Sequence, residues 1–275
     1  MRNFIVQLSL RNHQIERFVE AFKKVDAKYS FFSIYADINT VENLPDNFGD
    51  KNQSFFAFAG IKAVKISLNP NIENFGSEEN FNLYKDNYTN SFLYKDKDKF
   101  DQQYYNKLNL PLLNGNSKVI NLADNLQLSF EKDMFIKPTS DLKGFTAGII
   151  KAGETVQDYI KTTSRQTDWI KEPTLIGEVK DSHSEYRFFV VDGVILASSR
   201  YMLDKVVSVS KIIPDEVMAA AEKLKTIYMP DRGYTMDLAL LNNGKIEIVE
   251  YNCINGSGTY DADLIMFVDY LKNKL

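Results

Sequence analysis

The dipeptide Asn243-Gly244, set between two apolar segments, constrains the fold of this chain more than any other feature. A type I′ turn needs two residues that tolerate positive φ, and Asn-Gly is the strongest short signal for such a hairpin. The segment "MDLALL" precedes the turn and "KIEIVEY" follows it. Counting outward from a two-residue loop, Asp237 lies opposite Glu250. The sequence therefore predicts a hairpin that brings two carboxylates together.

The same count fixes the rest of the register: Leu240 faces Glu247, and Leu238 faces Val249. Strand alternation puts Asn252 on the same face as Glu250. Like charges directly opposite one another destabilise a sheet. Two carboxylates and an amide oxygen are, however, the ligands that a hard cation such as Mg²⁺ prefers. The alternatives are a solvated strand face, or a bulge that shifts the register and separates the acids.

A second two-residue loop, Asp192-Gly193, predicts another hairpin in "SEYRFFVVDGVILASSRY". Counting from this loop gives one polar face at the open end of the hairpin, formed by Glu185, Arg187, Ser198 and Arg200. Such a group is either a surface ion-pair cluster, which contributes little to stability, or a site where guanidinium groups bind phosphate oxygens.

Composition excludes several classes of protein. The chain has 275 residues, 44% hydrophobic, with a net charge of −4, so it can form a core but lacks a strongly basic surface for nucleic acid. One cysteine and two histidines exclude a disulfide framework and a zinc cluster. Neither a signal peptide nor an apolar run of roughly 20 residues is present. We therefore expect a soluble, cytoplasmic protein that does not interact with a membrane.

Hydrophobic periodicity predicts a small α/β lobe at the amino terminus, since "NFIVQLS" and "YSFFSIYA" read as strands around a helix that begins near Asn12. The polar stretch from Asn69 to about Lys99 has no clear period and predicts long loops. A helix is expected from Glu154 to about Trp169, another in "PDEVMAAAEKLKTIY", and a last one at the carboxyl terminus.

The segment "FIKPTSDLKGFTAGII" combines lysines with small residues. Lys137 ends a predicted strand, and Lys143 precedes Gly144. Glycines let backbone N–H groups approach phosphates, and lysine adds a point charge. The segment does not match the P-loop pattern, and solvated loop lysines are the alternative interpretation.

The order of these parts resembles that of the ATP-grasp superfamily over roughly residues 130–275. The chain is most similar to a clade of bacterial and phage ATP-grasp proteins whose substrates are largely unknown. This resemblance implies an α/β (α+β) fold in which the nucleotide lies between two lobes. It also implies a division into an amino-terminal lobe (1–125), a central lobe (126–180) and a carboxy-terminal lobe with the metal-binding hairpin (181–275).

The resemblance also implies how ATP is bound. Lys137 matches the lysine that contacts the phosphates, and Lys143 lies in the loop that folds over them. The segment "IGEV" matches the linker that meets adenine, with Ile176 against its face and the backbone of Glu178 and Val179 along its edge.

Three further roles are carried over by resemblance. Glu185 is similar to the acid that binds the ribose hydroxyls. Arg187 and Arg200 are implied to contact phosphate or an acyl phosphate, and Arg200 to stabilise an oxyanion. The Mg²⁺ ligands are implied to be Asp237, Glu250 and Asn252.

The implied activity is that of an ATP- and Mg²⁺-dependent carboxylate–amine ligase, which forms an amide through an acyl phosphate. Its partners would be small-molecule or peptide carboxylates and amines, without nucleic acid; the oligomeric state is left open. Two alternatives remain: a phosphotransferase that stops after γ-phosphate transfer, and a nucleotide-binding module without catalysis. Tyr260, in the loop "NGSGTY", is a candidate for substrate contact, whereas Cys253 is expected to be buried filler.

Overall fold

The structure of the protein is a computed structural model that describes residues 2–8, 10, 12–35, 39–142, 144–164 and 173–274. Its strands form three sheets, which correspond to three successive parts of the chain. No helix within these ranges is long and apolar enough to cross a membrane.

The amino-terminal part contains the strand–helix–strand unit that the periodicity predicts. Its sheet has the order β3-β2-β1-β4, with β1 parallel to both β2 and β4. Phenylalanines such as Phe4, Phe22 and Phe58 stack between this sheet and α1. The elements are β1 (Asn3–Gln7), α1 (Asn12–Lys24), β2 (Tyr29–Ile34), β3 (Val41–Glu42), β4 (Phe55–Phe58) and α2 (Ile61–Leu68).

The expectation of long loops from Asn69 to Lys99 is wrong, because much of this stretch is helical. Helix α3 (Glu78–Asn90) begins at Ser77, whose side chain accepts a hydrogen bond from the backbone N–H of Asn80. Tyr88 is fully buried, and its hydroxyl donates to the carbonyl of Ala63. Tyr88 also packs against the rings of Phe32, Phe75 and Phe92. This packing stabilises a helix whose four asparagines disfavour it.

Short helical turns lie along the chain between β3 and the middle sheet. They are three-ten turns at Asp46–Gly49, Ile72–Phe75, Lys97–Phe100 and Asn106–Leu108, and the one-turn helix α4 (Gln102–Tyr105).

The middle sheet is antiparallel, with the order β5-β8-β6-β7. Its strands are β5 (Lys118–Asn121), β6 (Met134–Pro138), β7 (Gly148–Ile150) and β8 (Pro173–Glu178), and α5 (Val156–Thr163) packs on it. The predicted helix is therefore present but ends at Thr163, whereas Trp169 lies outside the described residues. Because β5 pairs with β8, we propose that the central lobe begins before Lys118 rather than at residue 126.

The carboxy-terminal sheet is antiparallel, with the order β11-β10-β9-β12-β13. One face packs on α6, and part of the other packs on α7 and on the amino-terminal sheet. The rest of that second face is polar and forms the site described below. The elements are β9 (Ser182–Val191), β10 (Val194–Leu203), β11 (Val206–Ser210), α6 (Asp215–Leu224), β12 (Gly233–Leu241), β13 (Ile246–Cys253) and α7 (Ile265–Lys274).

The β12–β13 hairpin places Asp237 opposite Glu250, as predicted, but its loop and the register next to the loop differ from the prediction. Leu241 pairs with Lys245 around a three-residue loop in which Gly244 has positive φ, so the predicted two-residue loop is wrong. The pairs near the turn are consequently Leu240–Ile246 and Leu238–Ile248. Val249 is then an extra residue on β13, and this bulge restores the predicted pair Asp237–Glu250.

The β9–β10 hairpin has the predicted turn, since Asp192 and Gly193 both adopt positive φ. A bulge at Leu196 shifts the register beyond it. Arg187 therefore lies opposite Ser199 rather than Ser198, and Arg200 lies opposite Tyr186. The prediction that Arg187 and Arg200 share a face is wrong, because one extra residue turns Arg200 to the other face of the sheet.

Asn255 joins the carboxy-terminal sheet to the amino-terminal lobe. It follows β13 in a three-ten turn (Ile254–Gly256) and is buried. Its amide nitrogen donates to the carbonyls of Ala57 and Ser91, and its oxygen accepts the backbone N–H of Leu93. One side chain thus satisfies three buried backbone groups from two segments of the other lobe.

We predict that Asn255→Ala lowers the free energy of unfolding by about 2–4 kcal/mol, because a buried N–H and two carbonyls lose their partner. Urea denaturation measures this change. Asn90→Ala, at an exposed position, is the matched control and should change stability by less than about 0.5 kcal/mol. Equal stabilities of the two variants would contradict the proposed joining role of Asn255.

Candidate active site

Four polar side chains lie in one row across neighbouring strands of the carboxy-terminal sheet. Ser199 on β10 is opposite Arg187 on β9, which is opposite Asp237 on β12, which is opposite Glu250 on β13. We call these four residues the polar row. Directly opposed residues point to the same face of a sheet, so the row gathers one cation and two acids at a single place.

Arg187 and Asp237 form a buried, two-pronged ion pair at the centre of the polar row. The Nε–Oδ1 distance is 2.8 Å and the Nη2–Oδ2 distance is 2.6 Å. Burial alone would lower the pKa of Arg187, but the Asp237 carboxylate more than offsets this, so the pKa lies above its ordinary value. The guanidinium is therefore a permanent charge at a fixed position.

Two tyrosines and a backbone carbonyl hold the guanidinium in place. Tyr201 and Tyr260 stack with their ring centroids 5.0 Å apart, and the Arg187 guanidinium carbon is 5.7 and 5.3 Å from the two centroids. Arg187 Nη1 also donates to the carbonyl of Gly258. The predicted approach of Tyr260 to the site is thus present as a contact with Arg187, an arrangement typical of cation–π contacts.

Glu250 takes its partners from two different lobes. Lys137, on β6 of the middle sheet, lies with its Nζ 2.8 Å from Glu250 Oε2. Asn252, on the same strand as Glu250, donates to Oε1 at 3.0 Å. The Lys137 side chain is 7% exposed and that of Glu250 is 20% exposed. Lys137, Glu250 and Asn252 therefore lie in mutual contact. Their roles toward ATP and Mg²⁺ stay predictions.

Glu185 lies at the next same-face position on β9. Its carboxylate accepts hydrogen bonds from Tyr201 (2.7 Å) and Ser182 (3.3 Å). Burial raises the pKa of Glu185, and the charges of Asp237 and Glu250 act in the same direction, whereas the Tyr201 hydroxyl opposes them. A raised pKa at a half-buried position near two further acids is typical of a functional position.

The oxygen atoms of Asp237, Glu250 and Asn252 are of the kind that binds a hard divalent cation, although these residues do not form a cluster of acids. Within the described residues, no three His, Cys, Asp or Glu side chains are grouped so that they could hold a metal ion. Asp237 and Glu250 instead come with the amide of Asn252, and each acid is compensated by a cation. One or two carboxylates are what Mg²⁺ uses when substrate phosphates supply its other ligands.

A cleft of about 1060 Å³ opens between the amino-terminal lobe and the polar face of the carboxy-terminal sheet. We call it the interlobe cleft. Side chains of α1 and α2 line one wall, and Arg187, Asn252, Gly258 and Tyr260 line the other. Cys253 also reaches it, although this residue is buried, as predicted. The size suits a small organic ligand.

Ile176, Glu178 and Arg200 have their contacts outside the polar row. Ile176 is buried in the core of the middle sheet, and the exposed Glu178 pairs with Lys132 at 2.8 Å; Val179 follows β8. Arg200 donates to the backbone and side chain of Ser208 on β11. Lys143 lies outside the described residues. The roles of Ile176, Glu178 and Val179 toward adenine stay predictions.

Sequence reasoning missed Tyr201 and Ser199. Both follow the bulge at Leu196, so counting from the turn put them on the wrong face. Tyr201 is itself the extra residue at a second register shift, and no alternation rule applies to such a residue. The remaining signal was chemical: a tyrosine two positions from a serine in a strand rich in polar residues.

The family of this chain follows from a direct comparison. The family model described as "ATP-grasp domain, R2K clade family 2" matches residues 118–270, more than half of the sequence. The chain belongs to this ATP-grasp family. The resemblance drawn from the motifs is therefore confirmed. The match starts at residue 118, where β5, the first strand of the middle sheet, also starts.

Solved structures confirm the predicted α/β ATP-grasp fold. The D-cycloserine synthetase DcsG aligns with a TM-score of 0.56 at 12% identity, over 100% of this chain and 99% of that chain. A RimK domain ATP-grasp protein from Sphaerobacter thermophilus gives 0.54 at 8% identity, over 96% and 98%. The ATP-grasp ligase PsnB with a precursor variant, Mg and ADP gives 0.52 at 15% identity, over 100% and 99%. A search of curated protein sequences finds no match.

We predict that Arg187→Met destabilises the fold by about 3–5 kcal/mol, because Asp237 is left as an unpaired buried charge. The double variant Arg187→Met/Asp237→Leu should recover most of that loss, since it removes both charges together. Chemical denaturation measures both. If the double variant is no more stable than the single one, the buried pair is not the cause.

We predict that Glu185→Gln stabilises the protein at pH 7 but not below pH 4. An acid whose pKa is raised on folding contributes most stability while protonated, and that contribution is lost as pH rises from its ordinary value of 4.5 through the raised value. Glutamine keeps the acceptor for Tyr201 and has no charge. Thermal unfolding across pH 3–8 measures the difference, and a constant difference between variant and parent would be evidence against a raised pKa.

Proposed function

We propose that this ATP-grasp protein is an ATP- and Mg²⁺-dependent ligase of the carboxylate–amine type, which forms an amide through an acyl phosphate. The observation that supports this most is the meeting of Lys137 from one lobe with Glu250 from the other, beside Asp237 and Arg187. ATP-grasp proteins bind nucleotide between these two lobes. The similar structure of PsnB contains Mg and ADP.

Asp237, Glu250 and Asn252 would hold Mg²⁺, with ATP phosphates completing its ligands. The metal supplies neutralisation of the charge that develops on the transferring phosphoryl group. The charges of the two acids and of their partners Lys137 and Arg187 sum to zero in the absence of ligand. When ATP is bound, Lys137 and Arg187 would lie beside its phosphates and donate charge-assisted hydrogen bonds to them.

The first step joins the substrate carboxylate to phosphate. A carboxylate oxygen attacks the γ-phosphorus of ATP, the bond between this phosphorus and the β–γ bridging oxygen breaks, and ADP leaves. Lys137 would steady the transferring group as a point charge. Arg187, fixed by Asp237 and the two tyrosines, presents its guanidinium at the wall of the interlobe cleft. Positioning and charge supply the catalysis, and no protein nucleophile is required.

The second step forms the amide. The amine nitrogen attacks the carbonyl carbon of the acyl phosphate, inorganic phosphate leaves with the bonding electrons, and the amine proton passes to solvent. Arg187 is the cation available to the oxyanion of the tetrahedral intermediate. Arg200, the earlier candidate for this role, is on the other face of the sheet and is not proposed for it.

Trapping with hydroxylamine tests the acyl phosphate. The protein is incubated with ATP, Mg²⁺, hydroxylamine and a panel of carboxylic acids that includes hydroxy acids, and ADP, phosphoester and hydroxamate are all quantified. A ligase gives hydroxamate in proportion to ADP. A phosphotransferase gives a stable phosphoester without hydroxamate, and a nucleotide-binding module gives no ADP; either result would overturn the proposal.

We predict that Glu250→Gln lowers carboxylate-dependent ADP release by at least about 100-fold, because one charged metal ligand is lost. Because the variant removes the charged partner of the nearly buried Lys137, far-ultraviolet circular dichroism first verifies that it is folded. Glu216→Gln, at an exposed position on α6, is the matched control and should retain parental rates. Normal turnover by Glu250→Gln would exclude the assigned metal site.

A further inference from the structure

Three polar side chains of the interlobe cleft converge on the space over Gly258. A methyl group at the Cβ position of this glycine would lie 3.7 Å from Gln14 Nε2, 3.7 Å from Tyr260 Cζ and 3.9 Å from Arg187 Nη1. Gln14 is on α1 of the amino-terminal lobe, whereas Arg187 is on β9 and Tyr260 follows β13. All four residues line the cleft. Side chains from both of its walls therefore meet over Gly258.

These three side chains have hydrogen-bonding groups that no residue in the described part of the chain uses. A guanidinium has five N–H bonds; Arg187 donates two of them to Asp237 and one to the carbonyl of Gly258. The amide of Gln14 and the hydroxyl of Tyr260 have no hydrogen-bond partner among the described residues. Burial raises the pKa of Tyr260, although Arg187 acts in the opposite direction, so the hydroxyl is protonated at pH 7. All three side chains can thus donate to a ligand.

Contacts between α1 and the loop after β13 hold these donors near one another. Arg17 lies three positions after Gln14, on the same face of α1, and donates to the carbonyl of Ala262. Tyr260 adopts a φ of 47°, a conformation that is uncommon outside glycine and that often occurs at functional sites. The donors are therefore positioned before any ligand binds.

A group of donors without acceptors of their own fits an anion. The two oxygens of a carboxylate accept several hydrogen bonds, and those from arginine are charge-assisted and strong. One oxygen can accept from Arg187 and the other from Gln14, with the Tyr260 hydroxyl beside them. Glycine is required at position 258 in this arrangement, because a side chain there would project into the space that the carboxylate occupies.

We propose that Gln14, Arg187 and Tyr260 bind the carboxylate of the substrate over Gly258. Gln14 is then a substrate-binding residue that the amino-terminal lobe contributes. The inference rests on the proposed function for the identity of this carboxylate as the one that ATP phosphorylates. It gives the amino-terminal lobe a direct part in the reaction, since the carboxylate contacts both walls of the cleft.

Ligand-observed NMR titration at pH 7, without nucleotide, tests the proposal. The probes are acetate, propionate and benzoate, each compared with its neutral amide. We expect at least one acid to bind the parent protein about tenfold or more tightly than its amide, the preference that one charged hydrogen bond gives. Gln14→Glu places a like charge beside the acid and should weaken its binding about tenfold or more, while the amide changes by less than about threefold. Gln127→Glu makes the same change of charge at an exposed position and should retain parental binding.

Gly258→Ala tests the same site by shape. Gly258 does not have the positive φ that favours glycine, and the added methyl group would meet its neighbours at ordinary van der Waals distances. The variant should therefore fold, which far-ultraviolet circular dichroism verifies. Its methyl group occupies the space over position 258, so binding of the preferred acid should fall about tenfold or more.

Equal binding of every acid and its amide to the parent protein would overturn the carboxylate site. Undiminished binding of the preferred acid to either folded variant, Gln14→Glu or Gly258→Ala, would overturn it as well. The failure of the proposed function is visible separately, as the absence of hydroxamate in the trapping experiment. Acid binding that both variants lose, in a protein that forms no hydroxamate, would retain the carboxylate site and reject the ligase.

Discussion

The buried ion pair between Arg187 and Asp237 is the interaction on which the rest of the site depends. It joins the central strand β9 of the carboxy-terminal sheet to its neighbour β12, at a position where both side chains are almost fully buried. Either charge alone would be costly there, so the two residues constrain each other. Asp237 is also opposite Glu250, so the position of Asp237 determines the position of Glu250. Lys137 of the middle sheet contacts Glu250 at that position.

The charges of this group explain how two acids can lie side by side in the folded protein. Each carboxylate has a cation within 2.8 Å, and the cations come from different strands and different lobes. The pairing of Lys137 with Glu250 is the less buried of the two and joins the lobes directly. In the proposed reaction, this pair is the one that opens toward metal and nucleotide, while Arg187 and Asp237 retain the geometry of the sheet.

Sequence reasoning located the acids because their opposition depends on strand pairing, which an Asn-Gly turn makes visible. It did so through two errors that cancel: the loop has one residue more than predicted, and Val249 forms a bulge. The same method misplaced Arg200, where the bulge at Leu196 has no compensating shift. Bulges depend on how a sheet curves against its neighbours, and local sequence carries little of that information.

Local sequence patterns did not predict helix α3 or the contacts between lobes, because both depend on residues that are distant in the chain. Asn- and Tyr-rich stretches have weak helix propensity, and α3 is stabilised by aromatic packing against Phe32 and Phe48, which are distant in sequence. The contact between Lys137 and Glu250 joins positions far apart in the chain. Only the resemblance to a family predicted that these two residues belong to one site, and it did not predict that their side chains are in contact.

Thermal unfolding with ATP, with and without Mg²⁺, tests the central claim that the polar row is a metal–nucleotide site. With ligand at about 100 times its Kd, the account predicts a rise in Tm of about 5–10 °C that requires both ATP and Mg²⁺. The rise should be largely lost in Glu250→Gln and retained in Glu216→Gln. A rise that does not depend on Mg²⁺, or that is the same in Glu250→Gln, would contradict the account.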